Sequence, residues 1–308
     1  VTIDGLDSSS ISKIRHGSFM NCTSLENVTL SDNITDIGES AFENCTTFTS
    51  FKMPGSCTAI SDGLFRNCTS LKKVTNISKV KSFGNGAFDG CTSFNMNLTI
   101  PSDTTFIGNG CFRNCESLIS VTIPKNVKDL GSKAFAGCSS LKEANISAEI
   151  NTIKYGTFEG CYALDKVILP SLVTSVEGGV FKGCGDIDVI GNDSIQNDNG
   201  LLIGNKTVFA FVGAGKETIT VPDGIEKIGN AAFEGRSIKN VKLPTSLLYI
   251  DEFAFKNCEM LQGINFPRKL KRIGNYAFLN CIALTPEIDN ILSWSKVIIG
   301  PEGNSAIA

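Results

Sequence analysis

The chain has 308 residues, of which 42% are hydrophobic and 19% are charged, and this is the composition of an ordinary globular protein. Its formal net charge of −3 argues against nucleic acid or an anionic membrane as a partner, because both call for a basic excess. No apolar run approaches the roughly 20 residues that span a bilayer. We therefore expect no direct membrane insertion in this segment.

The strongest pattern is a phenylalanine that recurs along the whole chain. Aligned on strings such as AFENC and AFAGC, successive phenylalanines are 22 to 24 residues apart, with one gap of 52 residues. They are Phe19, Phe42, Phe65, Phe88, Phe112, Phe135, Phe158, Phe181, Phe233, Phe255 and Phe278. A fixed period in this range indicates a solenoid, in which each unit buries its apolar face only by stacking on its neighbours.

Each unit carries the same features after its phenylalanine. A cysteine follows three residues later in ten of the eleven units, with Arg236 as the exception, and an apolar residue follows six later in most units. An alternating run comes next, as in ENVTL (26–30) and KNVKL (239–243), and predicts a strand with one buried face. Proline often ends that run, as Pro124 and Pro244 do, because it lacks an amide donor.

The remainder of the unit predicts turns and a second extended piece. Two apolar residues three apart are followed, in six of the eleven units, by a glycine four before phenylalanine, which suits either a positive φ or a close backbone approach. The string GxxAFxxC predicts a short helical or 3-10 turn. We therefore predict a right-handed repeat solenoid of about 11 repeats of about 23 residues. It has a parallel β-sheet on one face and short turns and extended pieces on the other.

The combined columns give CxxLxxVxLPxxVxxIGxxAFxxC, which resembles the BspA-like (Treponema pallidum-type) class of leucine-rich repeats. The resemblance covers roughly residues 11–285. The stretch at 192–222 interrupts the period and resembles the hairpin-like insertion that separates blocks of repeats in this family, with Asn205-Lys206 as its turn.

Three segments are expected from this resemblance. Residues 1–190 form an N-terminal block of repeats, 191–218 a hairpin-like insertion, and 219–308 a C-terminal block with a terminal coil.

The twelve cysteines follow the repeat. Ten lie three residues after phenylalanine, and Cys57 and Cys111 lie in other apolar columns. We expect reduced, buried thiols that act as small core residues. A few disulfides between neighbouring coils and a metal site are the alternatives, although there is no CxxC pair and only one histidine, His16. No cofactor is predicted.

Three further patterns are weak. GAGKET (213–218) resembles a phosphate-binding loop but has Ala210 and Glu217 where that motif needs glycine and Ser or Thr, so we predict a turn. IQNDNG (195–200) lacks the first ligand and the closing Glu of a calcium loop. Ten Asn-x-Ser/Thr triplets are interpreted as turn chemistry, with glycan attachment as the alternative in a secreted protein.

The outward positions of the predicted strands form a polar, mildly basic stripe. They are Asn27, Thr29, Ser50, Lys52, Lys73, Thr75, Ser120, Thr122, Glu143, Asn145, Lys166, Asn240 and Lys242. The stripe is either a solvated sheet face or a broad, shallow protein-recognition surface of the kind that solenoids provide. It has no aromatic anchors, so we expect modest or multivalent binding.

The resemblance implies a function, because BspA-like proteins occur on anaerobic bacteria and mucosal protozoa and are associated with binding host matrix proteins. We expect a non-enzymatic interaction or adhesion module of a cell-surface or secreted protein, extracellular in location, that binds a host or matrix protein through the sheet face. The alternative is a structural spacer or display stalk within a longer surface protein.

Overall fold

The computed structural model describes residues 2–6, 11–213, 215–285, 287–288 and 295–307. In this part of the chain all regular structure is β, and each coil has one long and one short strand. The long strands are β1 (Thr2–Leu6), β3 (Asn27–Leu30), β5 (Ser50–Lys52), β7 (Lys73–Thr75), β9 (Asn97–Thr99), β11 (Ser120–Ile123), β13 (Glu143–Ile146), β15 (Lys166–Ile168), β17 (Asp188–Ile190), β21 (Thr218–Thr220), β23 (Asn240–Lys242), β25 (Gly263–Phe266) and β27 (Glu287–Ile288).

The short strands lie on the other side of each coil. They are β2 (Lys13–Ile14), β4 (Asp36–Ile37), β6 (Ala59–Ile60), β8 (Ser82–Phe83), β10 (Phe106–Ile107), β12 (Asp129–Leu130), β14 (Thr152–Ile153), β16 (Ser175–Val176), β22 (Lys227–Ile228), β24 (Tyr249–Ile250), β26 (Arg272–Ile273) and β28 (Ile298–Ile299). Between the two series of coils lie β18 (Gln196–Asp198), β19 (Leu201–Gly204) and β20 (Thr207–Phe211), which form an antiparallel hairpin arrangement.

The strands of successive coils pair in parallel, so the predicted solenoid is confirmed. Ser50 lies opposite Lys73, and Ser120 lies opposite Glu143, with no slip in register. The long strands are hydrogen-bonded as β1-β3, β5-β7, β9-β11-β13-β15-β17 and β21-β23-β25-β27. Their central residues, such as Val121 and Val167, point inward and are buried, as the two-residue alternation predicts.

The turn around each phenylalanine is not helical, which differs from the prediction in detail. Residues two before and two after phenylalanine are left-handed; around Phe42 these are Ser40 (φ 53°) and Asn44 (φ 61°). A helix needs negative φ throughout. One left-handed residue on each side of the phenylalanine therefore limits the segment to consecutive turns. The phenylalanine between them points inward and stacks: the ring centroids of Phe112 and Phe135 are 5.4 Å apart.

The regular spacing of glycine four before phenylalanine reflects a close backbone approach. A Cβ on Gly108 would lie 2.6 Å from the amide nitrogen of Asn85 in the preceding coil. The two coils therefore touch backbone to backbone at this point, and φ is not the reason for the glycine.

The cysteines are hydrogen-bond donors as well as small core residues. Each buried thiol of the main column donates to the carbonyl oxygen of the phenylalanine one coil earlier, as Cys68 does to Phe42 at 3.0 Å. In another column Cys57 donates to Ile34 at 3.3 Å, and Thr104 occupies the equivalent place and donates to Val80 at 2.8 Å. A hydroxyl thus replaces a thiol where only a short donor is needed.

All twelve cysteines are free, and eleven are buried. The prediction that every cysteine is buried is wrong for Cys22, which is exposed because it begins the column and no earlier turn of the described chain covers it. Burial raises the pKa of the Cys57 thiol to about 11 and that of the Cys184 thiol to about 12. The buried thiols therefore stay protonated and keep their donor at neutral pH.

The 52-residue gap contains a further coil built on Phe211. Its amide donates to the Ala232 carbonyl at 2.8 Å, the same bond that Phe158 makes to Val180, and its ring lies 5.7 Å from that of Phe233. The hairpin turn predicted at Asn205-Lys206 is present, and β20 continues into the short-strand sheet by pairing with β22. Phe211 thus also belongs to the column, which has twelve phenylalanines.

The coil of Phe211 lacks the turn that the other coils have, and Arg236 bridges the space. Neither residue 209 nor residue 213 is left-handed. The guanidinium of Arg236 instead donates to the carbonyls of Cys184 (2.6 Å) and Phe181 (2.8 Å), and its centre lies 6.0 Å from the Phe211 ring. Burial lowers the pKa of Arg236. The cysteine column is therefore continued across the junction by a longer donor.

Candidate interaction surface

All thirteen predicted surface positions lie on the outer face of the long strands. They belong to β3, β5, β7, β11, β13, β15 and β23, and every one is exposed or half-buried. Parallel register aligns them into two columns, so that Ser50 neighbours Lys73 and Thr122 neighbours Asn145. The thirteen side chains are therefore accessible on one face of the sheet, and their binding role stays a prediction.

The lysines of this face differ in their surroundings. Lys166 lies 3.1 Å from the Glu143 carboxylate on the neighbouring strand. Lys52, Lys73 and Lys242 are exposed and form no ion pair with any residue that the structure describes. Positive charge is thus available on β5, β7 and β23, whereas on β15 it is neutralised by Glu143 of β13.

The described face consists of four ladders, and none of them joins β17 to β21 across the junction. Asn240 and Lys242 therefore lie on a different ladder from the other eleven positions, which are spread over the three earlier ladders. The outward positions of the described long strands carry no aromatic side chain.

The junction also holds a groove that the sequence did not indicate. Its volume is about 660 Å³, and it is lined by β17 and the residues around it (Asp186, Asp188, Val189, Ile190, Gly191, Asn192, Asp193), by Ile195, Gln196, Asn197, Asn199 and Gly200 of the hairpin, and by Gly213 and Lys216. β17 belongs to the repeat, but the hairpin residues that form the opposite wall do not recur in other coils, so the periodic pattern carries no signal for the groove.

The residues of the two weak loop motifs adopt other roles in the fold. Lys216 of the GAGKET stretch donates to the Asn199 carbonyl at 2.8 Å, and Thr218 begins β21. Ile195 of the IQNDNG stretch is buried, and Gln196–Asp198 is strand β18. His16 is exposed, as predicted. Among the described residues there is no group of three or more His, Cys, Asp or Glu side chains that could hold a metal ion.

Several of the Asn-x-Ser/Thr asparagines form structural hydrogen bonds. The amide of Asn44 donates to Asn21 Oδ1 (2.7 Å), and that of Asn67 donates to Asn44 Oδ1 (2.9 Å). The Asn76 amide donates to the Met53 carbonyl at 2.7 Å. The turn-chemistry interpretation holds for these asparagines, because they adopt positive φ in turns and their amide nitrogens bond to the preceding coil.

Stacked coils with a parallel long-strand sheet, a phenylalanine column and a leucine column define a leucine-rich-repeat solenoid. The chain belongs to the BspA-type leucine-rich repeat family, whose model matches residues 6–96, 93–197 and 205–292. Leucine-rich-repeat solenoids are typically non-catalytic and generally mediate protein–protein interaction. In the part of the chain that the structure describes, no helix is long and apolar enough to cross a membrane.

Solved structures of similar fold come from bacteria. A leucine-rich cell surface protein of Faecalibacterium prausnitzii is 22% identical over 94% of this chain and 86% of its own, with a TM-score of 0.57. The pneumococcal vaccine antigen PcpA is 19% identical over 79% of this chain and 72% of its own (TM-score 0.65). A Bacteroides ovatus leucine-rich repeat protein is 20% identical over 96% and 81% (TM-score 0.54). A search of curated proteins finds no match.

Proposed function

We propose that this chain is a non-enzymatic protein-interaction and adhesion module of a cell-surface or secreted protein. It binds a host or extracellular-matrix protein through the outer face of the long-strand sheet. The observation that supports this most directly is the pair of exposed lysines, Lys52 and Lys73, which lie on adjacent strands without an ion-pair partner in the described chain. Their charge is available to carboxylates of a partner.

The location of the module at the cell surface is part of the same proposal. It is supported by the fold that the chain shares with a protein described as a cell surface protein and with a pneumococcal vaccine antigen. The virulence association and the adhesive role are proposed on the same basis.

Surface plasmon resonance against immobilised fibronectin and fibrinogen tests the proposal. The double substitution Lys52→Glu and Lys73→Glu is expected to weaken saturable binding by about tenfold, because it reverses two contact charges. Lys81→Glu with Lys271→Glu is the matched control: these exposed lysines precede the short strands β8 and β26, and the change in net charge is identical. We expect the control to bind within about twofold of the unchanged chain.

Two outcomes would contradict the proposal. Equal weakening by both double substitutions would show attraction to net charge and not recognition by the sheet face. No saturable binding to either ligand would favour the alternative, a structural spacer, which is supported by the lack of aromatic side chains on the outward positions of the described long strands.

A further inference from the structure

The long-strand sheet has an unpaired edge at β17. Toward β15, the Asp188 amide donates to the Asp165 carbonyl, and the Ile190 carbonyl accepts from the Leu169 amide. Successive residues of a strand direct their N–H and C=O groups to opposite sides. The N–H and C=O of Val189 therefore point away from β15, to the side on which no strand of the described chain pairs with β17.

The groove at the junction runs along this edge. It is lined by six consecutive residues, 188–193, of which 188–190 are β17, and by Gln196, Asn197 and Asn199 on the opposite wall. Consecutive side chains of a strand point to opposite faces, so a cavity that touches all three residues of β17 lies against the strand edge. Its volume of about 660 Å³ is within the usual range for binding clefts.

The edge is covered at Ile187 and open at Val189. The Ile187 amide donates to the Val212 carbonyl at 3.1 Å, and the Ile187 carbonyl accepts from the Asn197 side-chain amide at 3.3 Å, one position before β17. β18 itself is hydrogen-bonded to β19 only. The strand that would continue the sheet, β21, is paired with β23 alone among the described strands. The backbone groups of Val189 are thus left beside the groove.

The charge of the groove is negative. Asp186, Asp188 and Asp193 line it, and none of these carboxylates forms an ion pair with a residue that the structure describes. Lys216 is the one cation in the lining, and its Nζ donates to the Asn199 carbonyl. Ile190, which is 39% exposed, adds an apolar contact on the same face as Asp188.

We propose that the groove binds an extended segment of a partner protein that carries lysine or arginine at alternate positions. The segment adds to the sheet as a parallel or antiparallel strand beside β17, pairs with the N–H and C=O of Val189, and places its cations near Asp188 and Asp193. This mode relies on the strand edge and does not depend on the sheet-face lysines of the function proposed above.

Hydrogen exchange of the free protein gives the first test. Val167 occupies the equivalent position on the interior strand β15, where its backbone groups face the paired strand β17. We expect the Val189 amide to exchange at least about a hundredfold faster than that of Val167, because only the former lacks a ladder bond. Equal protection of the two amides would overturn the proposal.

Peptide binding, measured by fluorescence anisotropy, gives the second test. The probes are a fluorescein-labelled KVKVKV peptide, the same peptide with N-methylated valines, and EVEVEV. KVKVKV is expected to bind saturably and to slow exchange of the Val189 amide, and each altered peptide is expected to bind at least about tenfold more weakly. Absence of saturable binding, or equal binding of the N-methylated peptide, would overturn the proposal.

Two protein variants locate the site. Val189→Pro removes the N–H that faces the groove, and proline is accepted at an edge strand, so peptide affinity is expected to fall about tenfold. Asp188→Asn with Asp193→Asn leaves the backbone unchanged and is expected to weaken binding by a similar factor at low salt, which keeps the test valid if the proline variant misfolds. As a control, Lys52→Glu with Lys73→Glu is expected to leave peptide affinity within about twofold of that of the unchanged chain. Unchanged affinity in the variant Asp188→Asn with Asp193→Asn would place the peptide elsewhere and overturn the proposal.

Discussion

The coils around Phe135 and the junction at 191–236 both supply a hydrogen-bond donor to backbone carbonyls of an earlier coil, but they do so in two ways. In the regular coils, a thiol donates to the carbonyl of the preceding phenylalanine, as Cys138 does to Phe112 at 3.1 Å. At the junction, one coil lacks its turn, and the Arg236 guanidinium reaches two carbonyls of a coil 52 and 55 residues earlier. A solenoid can therefore omit part of a coil when the donor in the next coil is long enough to reach the exposed carbonyls.

A series of ion pairs also crosses the junction. Lys182 lies 3.5 Å from Glu159 in the coil before it and 3.1 Å from Glu234 in the coil after the junction. Glu234 in turn lies 3.5 Å from Lys256. Charged side chains of alternating sign thus stay in contact where the backbone turn is missing, because the turns on either side of that point lie next to each other.

The largest expected effect is in the regular region. Phe135 is fully buried between Phe112 and Phe158, at 5.4 and 5.9 Å, so Phe135→Ala is expected to lower the free energy of unfolding by about 3–5 kcal/mol. Urea unfolding followed by circular dichroism measures it. Phe253→Ala is the control, because Phe253 is half-buried and stacks on Tyr276; its expected cost is about 1 kcal/mol.

At the junction, Arg236→Met is expected to lower the free energy of unfolding by about 2–3 kcal/mol, because two carbonyls lose a charged donor. Removal of a desolvated guanidinium offsets part of this loss. Arg236→Cys, which restores the residue of the other ten units, is expected to cost as much since a thiol is too short for either carbonyl. Chemical unfolding measures both. A cysteine variant as stable as the unchanged chain would show that the junction does not need the longer donor.

The sequence was sufficient for the regular region and insufficient at the junction. The columns of phenylalanine, cysteine and alternating strand residues predicted the coils because each coil repeats the same contacts with its neighbours. Phe211 was missed, although it lies 22 residues before Phe233 and follows a small residue, Ala210, as the other phenylalanines often do. Its unit has neither the glycine four residues before phenylalanine nor the cysteine three residues after it, so the repeat string does not mark it.

The contacts of Arg236 and the groove beside β17 could not have been predicted. The acceptors for Arg236 lie 52 and 55 residues earlier, and nothing local to the residue indicates them. The groove depends on the path of the hairpin relative to β17, which is set by tertiary packing. The exposed sheet face, in contrast, follows directly from strand periodicity, and its thirteen positions all lie where the pattern placed them.

The buried thiols predict how stability depends on pH. An ordinary cysteine has a pKa near 9.0, and burial raises that of Cys57 to about 11, so the folded state binds a proton that the unfolded state releases. The stabilisation that comes from the protonated thiol is fully present below pH 9 and is lost as pH rises toward 11. At pH 10 the free energy of unfolding is lower by about 1.4 kcal/mol per thiol. Cys57→Thr introduces the residue that Thr104 already provides in the same column, and its thermal unfolding should show a shallower decline than that of the unchanged chain. An equal slope would contradict this origin.

The smallest effect concerns the left-handed residues beside each phenylalanine. Asn67 (φ 58°) donates to Asn44, and Gly90 and Gly137 occupy the same position in later coils. Asn67→Ala is expected to cost about 1 kcal/mol in urea unfolding, through backbone strain and the lost amide bond, and Asn67→Gly is expected to cost less. If alanine and glycine were equally costly, backbone conformation would not be the reason for asparagine here.

The thiol-to-carbonyl bond has a consequence for how such a chain changes in length. Each regular coil offers a phenylalanine carbonyl to the coil after it and a thiol to the coil before it, so both of its surfaces are interchangeable with those of its neighbours. Tandem duplication of the segment between two successive phenylalanines would insert a coil whose donors and acceptors are already matched. Gain or loss of whole coils then needs no compensating substitution, except next to the arginine that spans the junction.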